Sequence, residues 1–328
     1  AGRRRAVPGA DELRGLAQEA LGTSPQGYAL REGQVPASTP VGPSGGEPAL
    51  TLYRDTNAWC PFCERVWLAL ELKGLPYQQE FIDLGAKPQW YLDMVPTGLV
   101  PAARFHGDGA LVWESADLLQ ELERRFPQAP PLVPAGPEAR GRMAAFIAEE
   151  VEAEGDTLVA AGFAYMLGGA FGGERDPARL PELRAALEEA LERKGHWFQE
   201  GFIAGGAPSL ADVMVAPAME RLAANLPAFR GLDLRRRLRP WFDAMDALPA
   251  YRAVRSDPMT HTMVMLKRFK VEPSVGGLRW PAPAALPAGA AAEAGAKLAT
   301  NLEAVVQDAM RHGGLRAGDE AYVELQLR

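Results

Sequence analysis

Cysteine is nearly absent: 328 residues carry only Cys60 and Cys63. Two cysteines cannot build a disulfide-stapled secreted fold, so a reducing intracellular compartment is expected, either cytosol or an organelle stroma. Histidine is scarce too, with four residues and no cluster among them. A structural zinc site takes four ligands, and without a second cysteine pair no metal is expected. Positive charge is not in excess. The net charge of -7 argues against binding a phosphate backbone and sets nucleic acid aside as a partner. The local basic run Arg235-Arg236-Arg237-Leu238-Arg239 reads as a solvated helix face. No uncharged run reaches the roughly 20 residues of a membrane span. The nearest, Thr157 to Gly173, holds five glycines and reads as a buried helix end and loop, so a membrane is not an expected partner.

What is present is an ordinary globular composition, 47% hydrophobic and 23% charged, in a chain long enough for two domains. Both cysteines fall in Trp59-Cys60-Pro61-Phe62-Cys63-Glu64-Arg65. The strand-like run Leu50 to Arg54 leads into this stretch and the helix-like run Val66 to Leu70 leads out. Cys60 therefore falls at a helix start, with Pro61 in the first-turn position that tolerates a missing N–H. The unpaired amides and the positive end of the helix dipole favour an anion there. A thiolate so placed has its pKa drawn down from about 8.5. Cys63 lies about one turn on, on the same face. A structural disulfide or inert buried thiols would leave this strand–Cys–Pro–helix placement without a reason. Cys-x-x-Cys beside a βαβ pattern points to a redox thiol site.

The chain then reads in order. Residues 1–48 form an N-terminal extension, with a short helix from Asp11 to Leu21 and a Gly/Pro/Ser linker from Pro36 to Pro48. Arg3-Arg4-Arg5, in a chain that starts at Ala1, fits the remainder of an Arg-rich organelle-directed leader. Within 49–127 the pattern predicts a strand at 50–54, a helix over Pro61–Lys73 stopped by Gly74, and a parallel strand over Tyr77–Leu84. A short helix over Lys87–Asp93 follows, then a hairpin of Val100–Phe105 and Ala110–Trp113 around His106-Gly107-Asp108-Gly109. A helix over Ala116–Phe126 completes it, with Ser115 as N-cap. The order β-α-β-α-β-β-α is that of a thioredoxin-like domain. After the Pro-rich linker 128–136, residues 137–256 read as all-helical. Leu183, Leu187 and Leu191 mark an amphipathic helix, Ser209 and Asp212 a capping pair, and Trp241, Phe242 and Met245 a further helix. Residues 257–328 form a C-terminal extension without an assignable motif. In it, 291–310 reads as helical and 321–327 as a strand.

Cys60-Pro61-Phe62-Cys63, Lys87-Pro88-Gln89-Trp90, Pro96-Thr97-Gly98-Leu99-Val100-Pro101, Glu114-Ser115 and Pro208 to Asp212 together carry a resemblance over about 50–255. The chain resembles the cysteine-type members of the glutathione transferase superfamily: omega and lambda transferases, dehydroascorbate reductases and larger glutaredoxins. The resemblance implies that fold, an α/β thioredoxin-like domain followed by an all-α domain, with N- and C-terminal extensions. It implies glutathione as co-substrate. Cys60 would form the mixed disulfide with it, and Pro101 would be a cis-proline whose neighbour Val100 pairs with the cysteinyl part. Glu114 and Ser115 would hold the γ-glutamyl end and Lys87 the glycyl carboxylate, and Phe62 would belong to the same glutathione-binding set. The pattern departs at Cys63, where omega, lambda and dehydroascorbate reductase types carry Ala or Ser and dithiol glutaredoxins carry Cys.

The resemblance thus points to a glutathione-dependent thiol–disulfide oxidoreductase or thioltransferase. A conjugating transferase and a non-catalytic glutathione-binding scaffold are the alternatives. The partners expected are glutathione and a small electrophilic or disulfide substrate, on a monomer or homodimer. The acceptor would lie against the helical domain, where Phe163, Tyr165, Trp197 and Trp241 are candidates.

Overall fold

The computed structural model describes residues 47–281, apart from 154, 170–172, 275 and 280. The short helix expected at 11–21, the helix at 291–310 and the strand at 321–327 lie outside the described residues. The chain divides into a unit of 38–283, which holds the described residues, and a second unit of 1–37 and 284–328.

Strand β1 (Leu50–Asp55) is almost wholly buried and forms the sheet's centre. Helix α1 (Pro61–Lys73) begins on Cys60 and ends at Gly74, whose φ of 62° suits a residue without Cβ. Strand β2 (Tyr77–Ile82) returns parallel to β1, with Asp55 opposite Ile82. It stops two residues before the expected Leu84, because the Asp83 carboxylate takes the Gly85 amide at 2.8 Å and turns the chain. Helix α2 (Gln89–Met94) leads to the hairpin of β3 (Ala102–Phe105) and β4 (Leu111–Val112). The hairpin turn is held by Asp108, which accepts from Ala110 N at 3.0 Å, and by Gly109 at φ 71°. Sheet order is β2-β1-β3-β4, with β3 antiparallel to both neighbours.

Helix α3 (Ser115–Arg125) starts one residue before the sequence pattern suggests. Glu114 occupies the N-cap and Ser115 the first helical position, and neither side chain makes a capping bond. Ser115 is buried and cannot serve as the expected cap, because its own backbone is already helical.

The helical part follows as α4 (Pro137–Phe146), a wider turn at Ile147–Val151, α5 (Leu158–Leu167) and α6 (Leu180–Lys194). Then come α7 (Leu210–Arg230), the single turn α8 (Leu234–Arg237), α9 (Arg239–Ala247), α10 (Pro249–Val254) and α11 (Pro258–Lys267). The uncharged 157–173 stretch supplies α5, and no helix among the described residues is long and apolar enough to cross a membrane. Helix α7 is buried on all sides, and α1 packs against it and against α3 and α10. The predicted capping pair starts α7. Buried Asp212 accepts from Ser209 N and Oγ, each at 2.9 Å, from Ile203 N at 3.0 Å and from Trp241 Nε1 at 2.9 Å. One carboxylate thus ties a loop, a helix start and α9 together.

Candidate active site

Asp55, at the end of β1, builds the turn into α1. Its buried Oδ2 accepts the amides of Trp59 at 2.7 Å and Cys60 at 3.2 Å. Those bonds fold residues 56–60 back over the strand end and leave Cys60 at the helix N-cap, half-buried, with Pro61 at the first position. Both cysteines are free thiols. The hydrogen bond from Cys63 is the main influence that lowers the Cys60 thiol below its ordinary value. The amides of Cys63 and Phe62 add to it, while burial and the Asp55 carboxylate oppose it. Cys63 behaves oppositely, since burial first, and then its bond and charge interaction with Cys60, push it well above the ordinary range. The two thiols are thereby pushed in opposite directions, Cys60 towards the thiolate and Cys63 towards the protonated donor. Cys60 is therefore expected to alkylate well before Cys63 near neutral pH, read by mass mapping after brief iodoacetamide exposure. Preferential labelling of Cys63 would contradict the division.

Asp55, Cys60 and Cys63 place ligand-type atoms within 4.8 Å of one another, the one such group among the described residues. They are one side chain short of a closed tetrahedral set, and Asp55 Oδ2 is already engaged by two amides.

The other residues singled out in the sequence collect at the same end of the sheet. Asp55 pairs with Ile82 and Tyr53 with Ala102, while Ala103 pairs with Val112. The exits of β1, β2 and β4 and the entrance of β3 therefore share one edge, and with them come Cys60, Lys87, Val100-Pro101 and Glu114-Ser115. The Val100–Pro101 bond is cis, and the Val100 carbonyl lies 4.0 Å from Cys60 Sγ. Lys87 Nζ donates to Gly98 O at 2.8 Å and Tyr91 Oη to Leu99 O at 2.6 Å, so both pin the segment that ends in Pro101. Glu114 is exposed at the start of α3, whose first amides have no partner within the helix. Phe62 is exposed, with the Arg65 guanidinium 5.1 Å above its ring.

On the helical side, Pro61 and Phe62 form one wall of a cavity of about 810 Å³. Its opposite walls include Val159, Phe163, Ala190 and Pro217. Of the four aromatic residues proposed for the acceptor, Phe163 lines it. Tyr165, Trp197 and Trp241 are buried in the core, where Trp241 is spent on Asp212.

Behind Cys60 lies a buried polar network without a local sequence signal. Arg221 on α7 donates to Trp59 O at 2.6 Å, to Pro217 O at 2.6 Å and to Glu64 Oε2 at 2.8 Å. Trp59 Nε1 donates to His261 Nδ1 at 3.1 Å, and His261 Nε2 pairs with Glu220 Oε1 at 2.6 Å. Burial lowers His261 to about 4, so the ring is neutral, with Nε2 carrying the proton towards Glu220. Burial, together with Glu220 beside it, raises Glu64 to about 8 against the pull of Arg221. Asp55, Arg65, Arg221 and His261 were not picked out as site residues from the sequence. Only Asp55 and Arg65, within five residues of Cys60, stood close enough to be suspected.

The glutathione S-transferase N-terminal domain profile matches residues 59–125 and the C-terminal domain profile matches 149–244. The chain is 30% identical to Protein IN2-1 of Zea mays over 61% of its own length and 79% of that protein. It is 31% identical to the probable glutathione S-transferase DHAR1, cytosolic, of Oryza sativa subsp. japonica, over 55% and 74% of the two chains. The crystal structure of glutathione transferase Omega 3C from Trametes versicolor superimposes with a TM-score of 0.56 at 23% identity, covering 69% of this chain and 92% of that one, and supports the fold. With both domain profiles matched in order on a thioredoxin-like sheet and a helical partner, the chain belongs to the glutathione S-transferase family.

Proposed function

We propose that the protein is a glutathione-dependent thiol–disulfide oxidoreductase that works through a mixed disulfide at Cys60. The observation that carries this reading is a half-buried cysteine at a helix N-cap, its thiolate favoured by a hydrogen bond from Cys63 and set beside a cis-proline. A conjugating transferase keeps the glutathione thiolate free by a hydroxyl hydrogen bond. A cysteine in that place exchanges disulfides with it instead. A similar solved structure, the dehydroascorbate reductase of Chlamydomonas reinhardtii at 26% identity, accords with glutathione-dependent redox work.

In the proposed cycle the Cys60 thiolate attacks the glutathionyl sulfur of a mixed disulfide RS–SG. The Cys60–SG bond forms, the RS–SG bond breaks, and the released thiolate takes a proton. A second glutathione thiolate attacks Cys60–SG, which yields glutathione disulfide and frees Cys60. The net exchange converts one RS–SG and one glutathione into RSH and glutathione disulfide. Residues 49–127 supply the glutathione side and 137–256 the acceptor side. The apolar walls of the cavity favour a carbon-rich acceptor over a small polyhydroxy compound such as dehydroascorbate. Turnover of a glutathione mixed disulfide, followed by coupled glutathione recycling, tests the reading. Binding of glutathione without turnover would replace it with a scaffold.

Glu114 is assigned to the γ-glutamyl end of glutathione at the open amides of α3. Glu114→Ala is expected to weaken glutathione binding by about 1.5–3 kcal/mol, the scale of a charge-assisted hydrogen bond. The fold should persist, since the side chain is exposed and makes no capping bond. Unchanged affinity by calorimetry removes Glu114 from the site.

A further inference from the structure

We propose that the cavity beside Cys60 accepts an apolar molecule bearing one carboxylate, and that Arg65 is the residue that reads its charge. The proposal rests on the reading of this cavity as the acceptor side of the thiol site.

The cavity's walls are mostly Ala, Val, Pro and Phe, so its contents gain by losing water rather than by hydrogen bonding. Two arginines reach it, and they differ. Arg193 is at the exposed rim and is already matched, by Asp156 at 2.8 Å and Glu189 at 3.6 Å. Arg65 is half-buried on α1, one turn from Pro61. Among the described residues it donates through Nε to Met214 O at 2.8 Å and covers the Phe62 ring, and no carboxylate lies within ion-pair range. A desolvated guanidinium with its Nη groups not taken up by an acid is a costly arrangement for the protein alone. The same arrangement is the planar, forked donor that suits a carboxylate.

Burial lowers Arg65, to about 10, and an ionised Cys60 is the negative group that opposes this. That charge disappears when Cys60 becomes part of a mixed disulfide. An acceptor carboxylate then supplies the missing counter-charge while its apolar body fills the space between Phe62 and Phe163. Ligand charge and the state of Cys60 are thereby linked: the anion should bind better when Cys60 is neutral.

The test is calorimetry on the full chain with 2-naphthoate and 2-naphthamide, which match in size and differ in charge. Wild type should bind the acid at least about tenfold more tightly than the amide, the least expected of one charge-assisted hydrogen bond. The ratio should fall towards one in Arg65→Met, survive in part in Arg65→Lys, and rise in Cys60→Ser, which carries no thiolate. Equal affinities in wild type, no binding of either compound, or an undiminished ratio in Arg65→Met would overturn the proposal. If Arg65→Met does not fold, the wild-type and Arg65→Lys ratios decide. Because binding needs no turnover, a protein inactive on glutathione mixed disulfides that still discriminates by charge refutes the reaction and keeps this site. An active protein blind to charge does the reverse.

Discussion

Cys60→Ser is expected to abolish turnover of a small glutathione mixed disulfide, while Cys63→Ser keeps most of it. The first substitution removes the group that carries glutathione in the proposed cycle, since a serine hydroxyl neither ionises near neutral pH nor forms the exchangeable bond to sulfur. The second leaves a hydroxyl where the Cys63 thiol stood, and a hydroxyl still donates to the Cys60 thiolate. In the proposed cycle a second glutathione clears the mixed disulfide, so no resolving thiol is needed for small substrates. Cys63 is buried and held well above its ordinary pKa, which makes it a poor nucleophile and a good donor. Cys63→Ala separates these roles. It deletes a hydrogen bond worth about 0.5–1.5 kcal/mol, so the Cys60 pKa should rise by up to about one unit, seen in the pH profile of alkylation. Comparable loss of turnover in Cys60→Ser and Cys63→Ser, with the fold intact by circular dichroism, would show that the monothiol cycle is wrong.

The second large effect falls on stability. Arg221→Met should cost at least about 3 kcal/mol in urea denaturation, because three buried acceptors lose their donor and each costs about 1–3 kcal/mol when left unpaired. The guanidinium is about 1% exposed in its side chain and holds Glu64, Trp59 O and Pro217 O together. Without it the carbonyl just before Cys60 loses its partner, so activity should fall along with stability. Glu64→Gln is the contrasting change. The folded pKa of Glu64, about 8, lies above its ordinary 4.5, so the folded state keeps a proton that the unfolded state releases. This group therefore makes stability fall as pH rises from 4.5 through 8, and Gln, which cannot titrate, should flatten that slope at little cost near neutrality. A mild loss in Arg221→Met, or an unchanged slope in Glu64→Gln, would mean that the network is not organised around this cation.

The local devices of the thiol site are legible in the chain because each is a short-range signal. Pro61 and Gly74 bracket α1, His106 to Gly109 closes the hairpin, and Ser209 with Asp212 starts α7; each acts within one or two turns of itself. The placement of Cys60 on a helix N-cap follows from those signals alone, and with it the proposal of Cys60 as nucleophile. What the tertiary structure alone decides is everything that supports or surrounds it. Arg221 reaches Glu64 across 157 positions and Trp59 across 162, and His261 reaches Trp59 across 202. A polar bond over such a separation leaves no periodicity in either partner. The same holds for the aromatic residues of the helical part: the sequence presents Phe163, Tyr165, Trp197 and Trp241 as equals, and only packing puts the first on the cavity and the others in the core. Arg65 shows the limit most plainly. Its position, one turn into α1, is written in the sequence, but that it ends desolvated among apolar walls without a carboxylate depends on α5, α6 and α7 arriving from elsewhere in the chain.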